Sequence, residues 1–147
     1  MVLDSNFKEF IALLNEHKVK YLLIGGYAVA LHGHTRYTGD IDFWIWTNPE
    51  NAQKVLKTLG DFGFGSLPFD ETDFINPATV VQLGYPPLRI DLTMSISGVP
   101  DFEKAYAECK IVEIDGLRIP VIGLDDLKKN KKAAGRHKDL ADLDNLE

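Results

Sequence analysis

The sequence predicts an α/β (α+β) domain in which short apolar strands alternate with amphipathic helices. Three observations lead there. Within residues 21–46 an apolar strand runs into Gly25-Gly26, a helix-like segment follows, and a second apolar strand begins at Asp40-Ile41-Asp42. Period-two alternation returns in residues 88–94, where Leu88, Ile90, Leu92 and Met94 share one face. Apolar residues at helical spacing mark residues 6–18 and the segment from Leu124 onward. The 147 residues, 45% of them hydrophobic, suffice for a single domain over 1–147 with a full core.

Composition narrows the function classes. The longest apolar run, residues 21–31, is interrupted by two glycines and falls short of the roughly 20 residues a membrane span needs. Asp4, Lys8 and Glu9 stand where a signal peptide would be apolar, so a cytoplasmic protein is expected. Cys109 is the one cysteine, which excludes a disulfide framework and a thiolate metal site, and it reads as a half-buried helix residue. The net charge of −6 argues against a surface built for sequence-independent nucleic-acid binding. A local basic patch stands at residues 128–138.

In chain order, residues 6–18 form a helix capped by Ser5, with Phe7, Phe10, Ile11 and Leu14 inward. Residues 20–24 are a short strand. Gly25-Gly26 lets the backbone turn sharply into a helix over 27–31, whose exposed amides can receive a phosphate; a purely steric turn fits the pair equally well. His32 and His34 lack a third ligand at metal-like spacing and read as exposed or hydrogen-bonded histidines. Arg36 has two open roles, a fork for a phosphate oxygen or a surface salt bridge. Asn48-Pro49 opens a helix to about Leu59, with Val55, Leu56 and Leu59 inward. Gly60, Gly63 and Gly65 continue as a loop; because they follow a helix, they are not a dinucleotide fingerprint. Residues 79–83 and 88–94 are strands, 101–108 a short helix, and 110–114 and 117–121 a hairpin around Asp115-Gly116.

The second strand carries the chemistry. In residues 40–46, Ile41, Phe43 and Ile45 face a core, while Asp40, Asp42, Trp44 and Trp46 face the other way. Asp40 and Asp42 then lie about 7 Å apart at their Cα atoms. Two like charges on an otherwise apolar sheet repel each other and resist desolvation, and a divalent cation removes both penalties. Asp91 alternates away from its apolar neighbours, so a strand placed beside 40–46 would make it a third carboxylate of one cage. Trp44 either flanks a base or sugar or packs under a loop.

The last segment is helical, with Leu124, Leu127 and Ala134 as its stripe and Gly135 as its end; a further helix follows with Leu140, Leu143 and Leu146 inward. Lys131 falls on the inward stripe, four residues after Leu127, whereas Lys129 points away. An inward lysine needs an anion.

The glycine pair, the Asp40-Ile41-Asp42 motif and Asp91 within Arg89-Ile90-Asp91-Leu92 resemble the nucleotidyltransferase superfamily of the DNA polymerase β-like fold. GGYAVALHGHTRYTGDIDFWI and NKKAAGRHKDLADL together resemble its small prokaryotic branch related to AbiE-type abortive-infection toxins. The resemblance implies a mixed β-sheet flanked by helices, two Mg²⁺ or Mn²⁺ ions, and transfer of an NMP group from an NTP to a hydroxyl on a protein, an RNA or a small molecule. By the same analogy Asp40, Asp42 and Asp91 are catalytic and bind metal, with Asp91 assisting deprotonation of the acceptor. Gly25, Gly26, Arg36, Lys131 and Arg136 would bind the nucleotide. Expected partners are the NTP, the acceptor and, for a toxin of a toxin–antitoxin pair, an antitoxin protein. A nucleotide-binding regulatory module and an antibiotic-modifying enzyme are the alternative functions. Gly26 stands where the family often has serine, and a processive polymerase is not expected.

Overall fold

The computed structural model describes residues 3–34, 39–85 and 87–146. Their centre is one six-stranded mixed sheet. Strands β1 (Tyr21–Ile24), β2 (Asp40–Ile45), β3 (Val80–Tyr85), β4 (Leu88–Thr93), β5 (Lys110–Ile114) and β6 (Leu117–Val121) lie in the order β3-β4-β2-β1-β6-β5. Each sequential pair, β1 with β2, β3 with β4 and β5 with β6, is antiparallel. The pairs join through parallel contacts of β2 with β4 and β1 with β6. The strand of residues 88–94 therefore does lie beside that of residues 40–46.

Helix α1 (Ser5–Glu16) buries Phe7, Phe10, Ile11 and Leu14, as its spacing requires, and Phe10 meets Phe43 of β2 at 5.7 Å between ring centroids. Its cap is Asp4, not the expected Ser5: the Asp4 carboxylate accepts from the Asn6 amide, and Ser5 is already helical. Helix α2 (Gly25–Leu31) starts two residues earlier than expected, so both glycines belong to its first turn. Helix α3 (Pro49–Leu59) begins as predicted, with the Asn48 side chain accepting from the amides of Glu50 and Asn51. After it the chain makes a wide turn over Gly60–Phe64, which Gly63 takes out of helical geometry at φ 101°, and a loop follows as expected.

One buried polar side chain ties this layer to the sheet. Asn51, 3% exposed, donates to the carbonyls of Lys20 and Trp46 and accepts from the Lys20 amide. It joins the outer ends of β1 and β2, which leaves the opposite ends, Ile24 and Asp42, paired beside Gly25. On the face bearing Asp40 and Asp42 lie α4 (Phe102–Ala107), whose Phe102 ring stands edge-on to Trp44 at 5.0 Å, and α5 (Leu124–Ala134) with α6 (His137–Leu146). The Asp115-Gly116 hairpin forms as predicted, both residues at positive φ. No described helix is long and apolar enough to cross a membrane.

Candidate active site

The parallel register of β2 and β4 sets Asp42 beside Asp91 and Asp40 beside Arg89. Three carboxylates and one guanidinium thus share one patch of sheet. The Arg89 guanidinium donates from Nε to Asp91 Oδ1 at 2.8 Å and from Nη2 to Asp91 Oδ2 at 3.0 Å and Asp40 Oδ2 at 3.1 Å. Sequence reasoning had placed Arg89 on the same face as Asp91 without giving it a role; the missing signal was the register, which brings Asp40 within its reach.

Asp42 sits in a different environment. Burial pushes its carboxyl up to about 6, reinforced by the charges of Asp91 and Asp40 and a shared hydrogen bond with Asp91, and Lys131 pulls it only partly back. Gly25 is what lets Asp42 stand there: its φ is +72°, and a Cβ at that position would collide with Asp42 Oδ2. Gly25 therefore has a steric duty beside the carboxylates.

As for a metal, among the described residues no group of three or more His, Cys, Asp or Glu converges closely enough to hold an ion as it stands. The donor set nevertheless suits one chemically. Hard carboxylate oxygens are the ligands of Mg²⁺ and Mn²⁺, and three carboxylates against one guanidinium leave two negative charges on this patch. Arg89 uses one lone-pair direction on each Asp91 oxygen and leaves others available.

The same cleft, about 590 Å³ in volume, is closed on its far side by the basic segment. Lys131 is 4% exposed, and its Nζ lies 3.2 Å from both Asp139 Oδ1 and Asp142 Oδ2. The anion that an inward lysine needs is thus present within the chain. This corrects the phase expected for the last helix: Asp139 and Asp142 are its buried residues, while Leu140 is 44% exposed. The two buried aspartates turn inward because Lys131 offers them a cation across the left-handed turn at Gly135. Arg136, mostly exposed, also grips Asp139, from Nε to Oδ2 at 2.6 Å and from Nη2 to Oδ1 at 3.2 Å. Burial alone would raise the Asp139 carboxyl, but the hydrogen bonds from Arg136 and Lys131 outweigh it and hold it below the ordinary range.

Of the residues expected at the site, Gly25, Gly26, Asp40, Asp42, Asp91, Lys131 and Arg136 all line this one cleft. Arg36 lies outside the described residues. His32 bonds the Ile122 carbonyl at 2.7 Å, in keeping with a hydrogen-bonded histidine. Trp44 is buried against Phe102, the packing option of its two readings.

The family model described as "Nucleotidyltransferase of unknown function (DUF6036)" matches residues 2–147. The chain belongs to this family. Among solved structures, the nucleotidyltransferase is similar to a putative nucleotidyltransferase, TM1012, from Thermotoga maritima, with 19% identity over 95% of this chain and 88% of that one and a TM-score of 0.62. It is also similar to the lincosamide antibiotic adenylyltransferase LnuA in its lincomycin-bound form, with 20% identity over 99% and 96% of the two chains and a TM-score of 0.63. The antibiotic-resistance factor ANT(2'')-Ia matches at 13% identity over 97% of this chain and 80% of that one, with a TM-score of 0.62. At these identities the likeness is one of fold. No curated protein matches the chain.

Proposed function

We propose that this nucleotidyltransferase moves an NMP group from an NTP to the hydroxyl of a small molecule in the cytoplasm, with Asp40, Asp42 and Asp91 as its catalytic carboxylates. The observation that carries the proposal is the side-by-side register of Asp42 and Asp91 against the Gly25-Gly26 turn, in a cleft that also holds Arg136. Asp40, Asp42 and Asp91 would hold the divalent ions, Mg²⁺ or Mn²⁺, whose positive charge would neutralise the phosphates under transfer.

The chain's own groups have distinct tasks. The open amides at Gly25 and Gly26 receive phosphate oxygens, and the exposed Arg136 guanidinium adds charge to the triphosphate. Lys131 acts at one remove, by keeping Asp139 in place to hold Arg136. Arg89 fixes the orientation of Asp91, which takes the hydroxyl proton of the acceptor. The acceptor oxygen bonds to the α-phosphorus, the bond from that phosphorus to the bridging oxygen breaks, and pyrophosphate leaves with the electron pair. Positioning and charge neutralisation suffice for such a transfer, because no covalent enzyme intermediate is needed.

The small-molecule acceptor is favoured over a protein or RNA by a second cavity beside the cleft, described below; one fold neighbour is a lincosamide antibiotic adenylyltransferase and another an antibiotic-resistance factor. The toxin role, with its antitoxin partner, rests on the AbiE-like motifs alone. Incubation with labelled NTPs, Mg²⁺ or Mn²⁺ and a panel of hydroxyl compounds tests the activity. Label is expected on an acceptor with the native chain and not with Asp42→Asn; transfer that survives in that variant overturns the assignment.

A further inference from the structure

A second cavity of about 580 Å³ lies on the same face of the sheet, further along β2 from the carboxylates. Its wall includes Trp44, Trp46, Met94 and Phe102, and among the described residues its only charged lining is Asp101 and Glu103. Ser95 and Ile96 belong to this wall and to that of the catalytic cleft, so the two spaces are neighbours across one short loop. That partition is fixed. The Thr93 hydroxyl donates to the Ser95 carbonyl at 2.8 Å, the Ser95 hydroxyl donates to the Pro77 carbonyl at 2.6 Å, and Asn130 of α5 donates to the Ser97 carbonyl at 3.0 Å. Gly98 lies so close to α5 that a Cβ there would meet the Lys129 carbonyl at 2.7 Å.

We propose that this cavity is the acceptor subsite and that it takes an amine-bearing alcohol with an apolar body. The inference rests on the nucleotidyl-transfer reading and names the substrate class. Each part follows from the wall. A volume of this order holds a drug-sized molecule. Trp46 and Ile96, both only partly buried, offer apolar surface to the body of the molecule, over a floor in which Trp44, Met94 and Phe102 are buried. The carboxylates select a cation, because no basic residue lines the cavity; Asp101 also answers the Lys104 amide at the start of α4, which leaves Glu103 as the main partner of the ligand's ammonium. Trp46 already shows that its ring accepts a cation, with Lys20 Nζ 4.6 Å from its centroid, and Lys20 itself lies outside the cavity wall. Trp44 and Trp46 are two and four residues beyond Asp42, which puts the cavity roughly 7 to 14 Å from the carboxylates along the strand.

The two cavity tryptophans are the only ones in the chain, so intrinsic fluorescence reports binding without any turnover. Lincomycin with its N-demethyl, N-acetyl counterpart, and phenylalaninol with N-acetylphenylalaninol, each counterpart lacking the charge, serve as probes in nucleotide-free titrations. At least one amine is expected to give a saturable change, binding at least tenfold more tightly than its uncharged counterpart, and Glu103→Gln to weaken it about fivefold. In transfer assays with ATP and Mg²⁺ the same substitution should raise KM for the amine about fivefold with kcat unchanged, as for a group that binds ground and transition states equally. Equal binding of charged and uncharged forms overturns the proposal, as does the absence of a saturable change across the panel, or transfer to an amine whose KM ignores Glu103. Saturable, charge-dependent binding without transfer upholds the subsite and refutes the activity instead, so the two failures are distinguishable.

Discussion

Replacing Asp42 by asparagine should stabilise the metal-free protein while destroying its activity. The folded state holds the Asp42 proton more tightly than the unfolded chain does, with the carboxyl raised from 3.8 to about 6. Linkage then fixes the sign: below about pH 4 the residue is neutral in both states and costs nothing, stability falls as pH rises between the two values, and the loss levels off above about 6. The gap corresponds to about 3 kcal/mol at pH 8. Asparagine keeps the shape and can still donate to Asp91, so most of this penalty should vanish. For a chain of this size that is a rise of roughly 6 to 12 °C in Tm at pH 8, with little difference at pH 4. Denaturant melts in EDTA across pH 4 to 8 measure it, and Mn²⁺ should raise the stability of the native chain but not of the variant. A difference that does not change with pH, or a variant less stable at pH 8, would refute the reasoning.

Three further outcomes follow from the same geometry. Gly25→Ala combines a left-handed backbone with a collision against Asp42 Oδ2, and should lower stability by about 1–3 kcal/mol and abolish NTP binding in calorimetry. Lys131→Ala leaves Asp139 and Asp142 buried without their cation and should cost about 3–5 kcal/mol by urea melts, whereas Lys129→Ala should stay within about 0.5 kcal/mol; equal effects would mean that the buried triad does not form. Asn51→Ala leaves the Lys20 amide without its acceptor and takes one of two donors from each of the Lys20 and Trp46 carbonyls, and should cost about 1–3 kcal/mol, read from the urea midpoint at unchanged slope.

Much of this fold was legible from local rules, and the failures share one cause. Strand alternation placed Asp40, Asp42 and Asp91 on their faces, and the hairpin at Asp115-Gly116 formed where its dipeptide stands, because both depend on neighbours in sequence. The last helix was legible only in part: Leu146 packs on the core and Leu143 is half-buried, but Leu140 is 44% exposed, and Asp139 and Asp142 take the innermost places through a partner on another element. Arg89 was under-read for the same reason. Its bonds to Asp91 are local, but the one to Asp40 spans 49 residues and exists only through the parallel register of β2 and β4. What sequence hides is which charge meets which.

That pairing also explains why the cleft divides its carboxylates into two kinds. Asp139 and Asp142 are among the most buried acids of the chain, yet Lys131 compensates both and Arg136 adds to Asp139, so they serve as structure and hold the basic segment against the cleft. Asp91 and Asp40 lean on Arg89. Asp42 is raised toward neutral pH by burial first and then by the charges of Asp91 and Asp40, and the opposing help from Lys131, which is shared with two aspartates, does not offset them. A chain selected only for stability could relieve this by an asparagine at 42 or by a side chain at 25, and it has neither; the uncompensated carboxylate is kept beside a glycine that makes room for it. Such a residue is where an external cation gains most, since it recovers the desolvation and repulsion that folding imposes. The instability of Asp42 in the metal-free protein and the affinity of the site for a divalent ion are therefore two readings of the same free energy.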